Sequence, residues 1–184
     1  MILERVVAIQ IEEYFEKNKL FGNFPFGFRR NKNTTSKLLS LFDTLLEAKE
    51  KKKETLVLLY DLSTAFDTVC HNILLKKLHM YGFSDLSMKW MKSYLYNRKQ
   101  MVQVSGKIST LQETNIGIPQ GSRLIPLLFI ILMAVMDLWA GNSILSNFAD
   151  DTQTIHISDT TKSLIETTRE DANNDIRFFE CNDL

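Results

Sequence analysis

Apolar residues recur at helical spacing near the start of the chain. Val6, Val7, Ile9, Ile11, Tyr14 and Phe15 predict an amphipathic helix to about Asn18, ahead of the breakers between Gly22 and Gly27. Leu38, Leu39, Leu41, Phe42, Leu45 and Leu46 predict a second helix, with Thr34 or Thr35 as its cap and the charge run Lys49 to Glu54 as its solvated end. The period then changes. Leu56-Val57-Leu58-Leu59-Tyr60 is a continuous apolar run of strand length, which predicts a central strand with Asp61 at its C-terminal end. Helical spacing returns over Asn72 to Tyr81 and Leu86 to Tyr96, and Gln100 to Ser105 and Thr110 to Ile116 flank Gly106-Lys107 as a hairpin. An apolar helix to about Trp139 follows Gly117-Ile118-Pro119-Gln120-Gly121-Ser122. Ile144 to Phe148 and Thr152 to Ile157 then bracket Ala149-Asp150-Asp151 as a second hairpin, and Thr161 to Phe179 forms a last amphipathic helix.

Short strands separated by pairs of helices, with two hairpins, predict an α+β fold whose sheet is covered on one face. The 184 residues suffice for one compact domain, or one with an attached lobe. With 45% hydrophobic and 24% charged residues the chain is not of the disordered class. A net charge of zero conceals a division. Met1 to Lys107 holds 18 Lys or Arg against 11 Asp or Glu, and Ile108 to Leu184 holds 4 against 11. A basic surface for phosphates and an acidic site for metal fit that division; two unrelated solvated faces fit it too. Cys70 and Cys181 have no metal-type spacing, which fits a reducing compartment. The longest apolar stretch, Leu124 to Met136, is broken by Pro126 and falls short of the ~20 residues that span a bilayer, so no membrane partner is expected.

Three carboxylates carry the candidate chemistry. Asp61 follows a strand, and Asp150 and Asp151 occupy the turn of a hairpin. If the two strands are neighbours, the carboxylates converge at one sheet edge, where they would repel unless a cation neutralised them. Mg²⁺ prefers such oxygen ligands, and a pair of ions held by carboxylates is a phosphoryl-transfer site in outline. The plainer alternative is structural: Asp-Asp is common in turns, and an Asp after a strand often caps the next helix.

The surrounding motifs bear on that choice. Tyr60-Asp61-Leu62-Ser63-Thr64-Ala65-Phe66-Asp67-Thr68-Val69, with His71, Leu74, Leu75, Lys77 and Leu78 after it, resembles the motif that brings the first catalytic aspartate of reverse transcriptases. Gly117 to Phe129 resembles that family's Pro-Gln-Gly motif, and Phe148-Ala149-Asp150-Asp151 its aromatic-x-Asp-Asp hairpin. Ser93-Tyr94-Leu95, Arg98-Lys99-Gln100, Val102, Val104 and Gly106 resemble the enzymes of LINE-type, non-LTR retrotransposons in particular. All occur in the family's order, and the joint pattern is far more specific than Asp-Asp alone.

The resemblance implies an RNA-directed DNA polymerase with a ferredoxin-like palm. Residues 1–54 would be a partial fingers region and 55–184 the palm, with inserted fingers helices and a hairpin at about 84–116, ending before the thumb. Asp61, Asp150 and Asp151 would be catalytic and would hold two Mg²⁺ ions, for which Mn²⁺ can substitute, with the Leu62 carbonyl a further ligand near the nucleotide. Phe66 would lie under the sugar and select deoxynucleotides, though a core phenylalanine is the alternative. Gln120 and Gly121 would lie against the incoming nucleotide, or form only a turn before a helix. Arg29 and Arg30 would contact nucleic-acid phosphates, or stand as exposed loop arginines. The implied partners are an RNA template, a DNA primer, dNTPs and the rest of a retrotransposon protein with its thumb and endonuclease, and the implied life cycle has cytoplasmic and nuclear phases. Pro25, Thr64, Ile125 and Met136 depart from residues common in the family. Ile125, where Gly is common, is expected to crowd its surroundings. A decayed or truncated retroelement copy, binding nucleic acid at most, is the second reading.

Overall fold

The computed structural model describes residues 2–21, 34–62, 64–118, 121, 124–148 and 151–184. Helix α1, Ile2–Lys17, buries Ala8, Ile11 and Phe15, one face at the three- and four-residue spacing of a helix. The Phe15 ring is fully enclosed among those of Phe21, Tyr81 and Phe83. Helix α2, Thr34–Glu50, leads into strand β1, Glu54–Tyr60. Helices α3, His71–Met80, and α4, Asp85–Leu95, follow. The Ser84 hydroxyl accepts from the Ser87 amide at the start of α4 and so satisfies one of that helix's open donors.

The next segment folds back on itself. Strands β2, Arg98–Gln100, and β5, Gln112–Thr114, pair outside β3, Gln103–Val104, and β4, Lys107–Ile108. The hairpin is interrupted: Gln100 opposes Gln112 and Val102 bonds Ser109, so Met101 stands against both Thr110 and Leu111. That is a bulge, which bends the ribbon.

Helix α5, Leu124–Met133, buries every residue except Pro126 and forms the centre of the main core with α1, α3 and α4. Pro126 is tolerated because it lies in the first turn, where its missing amide has no intrahelical partner. A 3-10 turn over Met136–Leu138 leads to β6, Ile144–Phe148, then β7, Asp151–Ser158, and α6, Thr161–Cys181. The Thr160 side chain caps α6 by accepting from the Ser163 amide. No helix among the described residues is long and apolar enough to cross a membrane.

The main sheet is antiparallel in the order β1-β7-β6. Among the described strands β1 is therefore an edge and β7 the centre, which corrects the expectation of a central β1. No residue of β1 is buried and Leu59 is 74% exposed, as its edge position allows. On one face Tyr60, Thr154 and His156 meet α6. On the other, Ile155 and Ser146 are buried, Ile155 lies outside the main core cluster, and α2 contacts β1 and β6. Helices thus lie over both faces, not one. Helix α2 turns Lys37 and Ala48 inward and leaves Leu38, Leu39, Phe42 and Leu46 more than half exposed or nearly so.

Candidate active site

Strand pairing decides which carboxylates meet. In the β1–β7 ladder Tyr60 faces Thr152, so the same register carried one residue on sets Asp61 opposite Asp151. Both are exposed at that edge of the sheet. Asp150 lies outside the described residues, as do Gln120, Arg29 and Arg30. Among the described residues there is no group of three or more His, Cys, Asp or Glu able to hold a metal. Two of the three expected carboxylates are brought together, each an oxygen donor of the kind a hard divalent cation takes.

The chain after Asp61 forms a tight turn. The Leu62 carbonyl accepts from the Ala65 amide at 3.2 Å, which leaves one of its two lone pairs. Thr64 has φ +60°, a costly conformation for a β-branched residue, and its carbonyl accepts from Asp67 at 2.7 Å. Phe66 is half-buried, its ring 4.9 Å from that of Phe129 on α5. Both readings of this residue meet in that geometry: one side packs on the core and the rest is open.

This turn is tied to the segment ahead of Pro119. The Gly117 amide donates to the Val69 carbonyl at 2.9 Å, and the Ile118 amide donates to the Phe66 carbonyl at 2.8 Å. Gly117 has φ +78°, and a Cβ there would lie 2.6 Å from the Asp67 carbonyl oxygen, so only glycine fits. His71 completes the tie, its Nε2 2.7 Å from the Gly117 carbonyl. Gly121, also in the left-handed region at φ +100°, has open space where a side chain would project. Beside these loops a cleft of about 610 Å³ is lined by Asp67, His71, Arg98, Gln100, Thr114 and Gly117.

Two features escaped the sequence reading. Lys37 of α2 is buried within electrostatic reach of Asp151, burial drawing its amine down and the carboxylate drawing it up. The available signal was a lysine in step with Ala48 on the covered side of an apolar helix. Behind the site, Tyr60 donates to Asp175 at 2.8 Å, while His156 sits 3.3 Å from Asp171 and 3.1 Å from the Thr154 hydroxyl. Burial raises the Asp175 carboxyl above its ordinary range, with the Tyr60 bond opposing, and burial lowers His156, with Asp171 opposing.

Ile125 is buried among the apolar residues of the main core.

The family model for reverse transcriptase (RNA-dependent DNA polymerase) matches residues 2–175. The chain is 29% identical over 174 residues to a probable RNA-directed DNA polymerase from transposon BS of Drosophila melanogaster, covering 91% of this chain and 17% of that protein. It is 32% identical over 158 residues to a probable RNA-directed DNA polymerase from transposon X-element of the same species, covering 82% and 17%. It is also 32% identical over 157 residues to the RNA-directed DNA polymerase from mobile element jockey of Drosophila funebris, again 82% and 17%. The chain thus spans 17% of the length of these curated relatives. Reverse transcriptases generally use divalent metals. The match along nearly the whole chain, joined to the motifs, means that the chain belongs to the reverse transcriptase family, on its LINE-type, non-LTR branch.

Proposed function

We propose that this chain carries the nucleotidyl-transfer site of an RNA-directed DNA polymerase, adding dNTPs to a DNA primer 3′-hydroxyl on an RNA template during retrotransposition. The observation that supports the reading is the β1–β7 register, whose Tyr60–Thr152 pair is followed and preceded in sequence by the exposed Asp61 and Asp151. Asp61, Asp150 and Asp151 would hold two Mg²⁺ ions, Mn²⁺ being an alternative. When bound, such ions activate the primer hydroxyl and stabilise the charge on the transition state and the departing pyrophosphate.

The chain's own residues do the positioning. Phe66, rigid against Phe129, blocks a 2′-hydroxyl by shape, and Gln120 and Gly121 lie along the nucleotide where glycine permits close backbone approach. Arg29 and Arg30 contact phosphates of template or triphosphate. In this reading the β1-β7-β6 sheet is the ferredoxin-like palm, residues 1–54 are part of the fingers, and the helices and hairpin at about 84–116 are fingers elements inserted in it. The thumb and endonuclease belong to the rest of the protein.

The test is Mg²⁺-dependent primer extension on an RNA template by a longer chain that includes the thumb, beside the same chain with Asp150→Ala. Deoxynucleotide incorporation that disappears in the variant is expected. No incorporation by the folded parent would favour the decayed copy.

A further inference from the structure

We propose that His71 is a positioning residue for nucleotide selection, an inference that rests on the nucleotidyl-transfer reading above. His71 is buried at the first turn of α3, and its Nε2 lies 2.7 Å from the Gly117 carbonyl. A carbonyl has no hydrogen to give, so Nε2 must carry the proton and donate. The ring is oriented by Tyr96, whose ring stands edge-on at 5.4 Å and whose hydroxyl donates to the Asn72 side chain at 2.7 Å. Nδ1 is buried, with no hydrogen-bond partner among the described residues. Burying an unmet acceptor opposes stability. An apolar residue of similar volume would fill the site without that cost, so packing alone does not account for a histidine here.

The Nε2 bond accounts for it. Gly117 is held at its amide by Val69 and at its carbonyl by His71, and the next amide is held by Phe66. The Asp67 backbone leaves no room for a side chain at Gly117. Pro119 and Gln120 follow within three residues. His71 therefore helps to hold Gly117 and Ile118 against the turn that bears Phe66, the side chain that reads the sugar in this reading. Its hydrogen bond acts on nucleotide binding, not on the reacting atoms.

The test uses the thumb-containing protein with an RNA template and DNA primer, comparing His71→Leu, His71→Gln and His71→Asn. Leu keeps the volume and loses the donor; Gln places an amide N–H close to where Nε2 stands; Asn is too short to reach Gly117. Leu is expected to raise the KM for dNTP on the order of tenfold, as for one lost buried hydrogen bond. It should also lower discrimination against ribonucleotides, with kcat changed much less. Gln should restore KM and discrimination, and Asn should not. Should Leu fail to fold, Gln and Asn alone decide the matter, and equal behaviour of those two would overturn the inference. So would an unchanged KM in folded His71→Leu, or a fall in kcat alone. Binding of dNTP to a chain-terminated primer complex separates the two levels. A parent protein that binds none removes the nucleotidyl-transfer reading and this inference with it, whereas a parent and Leu variant that bind equally well remove the inference only.

Discussion

Successive turns along the covered face of α6 belong to different kinds of interior. In its last turn Phe178 and Phe179 join a core that is almost wholly apolar, Phe179 lying 5.4 Å from the Tyr60 ring. Toward the sheet, Asp171 and Asp175 are buried against His156, Tyr60 and Thr154. Apolar packing is non-directional and tolerates rearrangement at similar volume. The polar layer is directional, and each member left unmatched carries a penalty. The helical cluster thus supplies stability, while the layer beneath the sheet sets how α6 seats on the strands that bear Asp61 and Asp151.

The largest test of this contrast is Phe15→Ala. The residue is fully enclosed, and the change should cost about 3–5 kcal/mol in a urea titration, enough to unfold a marginal domain. A loss below about 1 kcal/mol would mean that this cluster is loosely packed.

Tyr60→Phe addresses the polar layer. It leaves Asp175 buried without its donor and should cost about 1–3 kcal/mol near neutral pH. Adding Asp175→Leu to it should recover most of the loss, because a buried pair replaced by apolar groups forfeits little. Additive losses in the double variant would refute the pairing.

The same layer has two opposite pH dependences, each at most about 1.4 kcal/mol per pH unit. Asp175 has a raised carboxyl, so its contribution is full below the ordinary carboxylate range and is lost as pH rises through the raised value. His156 is lowered, so its contribution is present above the ordinary histidine value near 6.5 and is lost as pH falls. Relative to the parent, Asp175→Asn should gain stability as pH rises from about 4, and His156→Gln should gain as pH falls below about 6.5. Urea midpoints against pH with neither slope changed would show that the layer is solvated.

Lys77 gives the smallest effect. It donates to the Leu132 carbonyl and lies over the Phe178 ring at 5.1 Å, and burial brings its amine down to about 8. Lys77→Met removes the buried charge and the donor to the Leu132 carbonyl together, so the two losses oppose each other and the net shift at pH 7 should be about 1 kcal/mol or less. Between about 8 and 10.5 the folded parent has released a proton that the unfolded chain retains. The parent should therefore gain on the variant across that range, which thermal melts at several pH values would reveal.

Much of this organisation was legible in the residues. Among the described residues periodicity marked six helices and both hairpins, and the convergence of Asp61 with Asp150-Asp151 was conditional on their strands being neighbours, as β1 and β7 are. What it left out is long-range. A run such as Leu56 to Tyr60 reads alike whether its neighbours are strands or helices, which is why β1 was expected at the centre. Leu38, Leu39, Phe42 and Leu46 match a buried helical face in the pattern, yet they point outward because Lys37 and Ala48 take the covered side. His71 gave no sign of its partner, since Gly117 is distant in sequence and the contact is to backbone, whose chemistry is the same at every residue. For Asp61, Asp151 and Phe66 the motif named the residues, and only the fold gives their surroundings.

The bond between Val69 and Gly117 makes everything between them a closed excursion. The chain leaves the sheet's edge, runs through α3, α4 and the interrupted hairpin, and returns to within 2.9 Å of its point of departure. Changes of length at the hairpin tip, where Gly106 has open space around it, are confined beyond that closure. A loop fastened at its neck can grow or shrink at its far end while the neck stays in place, because lengthening a closed loop costs little free energy. The carboxylate edge is thereby insulated from variation in the segment that interrupts it.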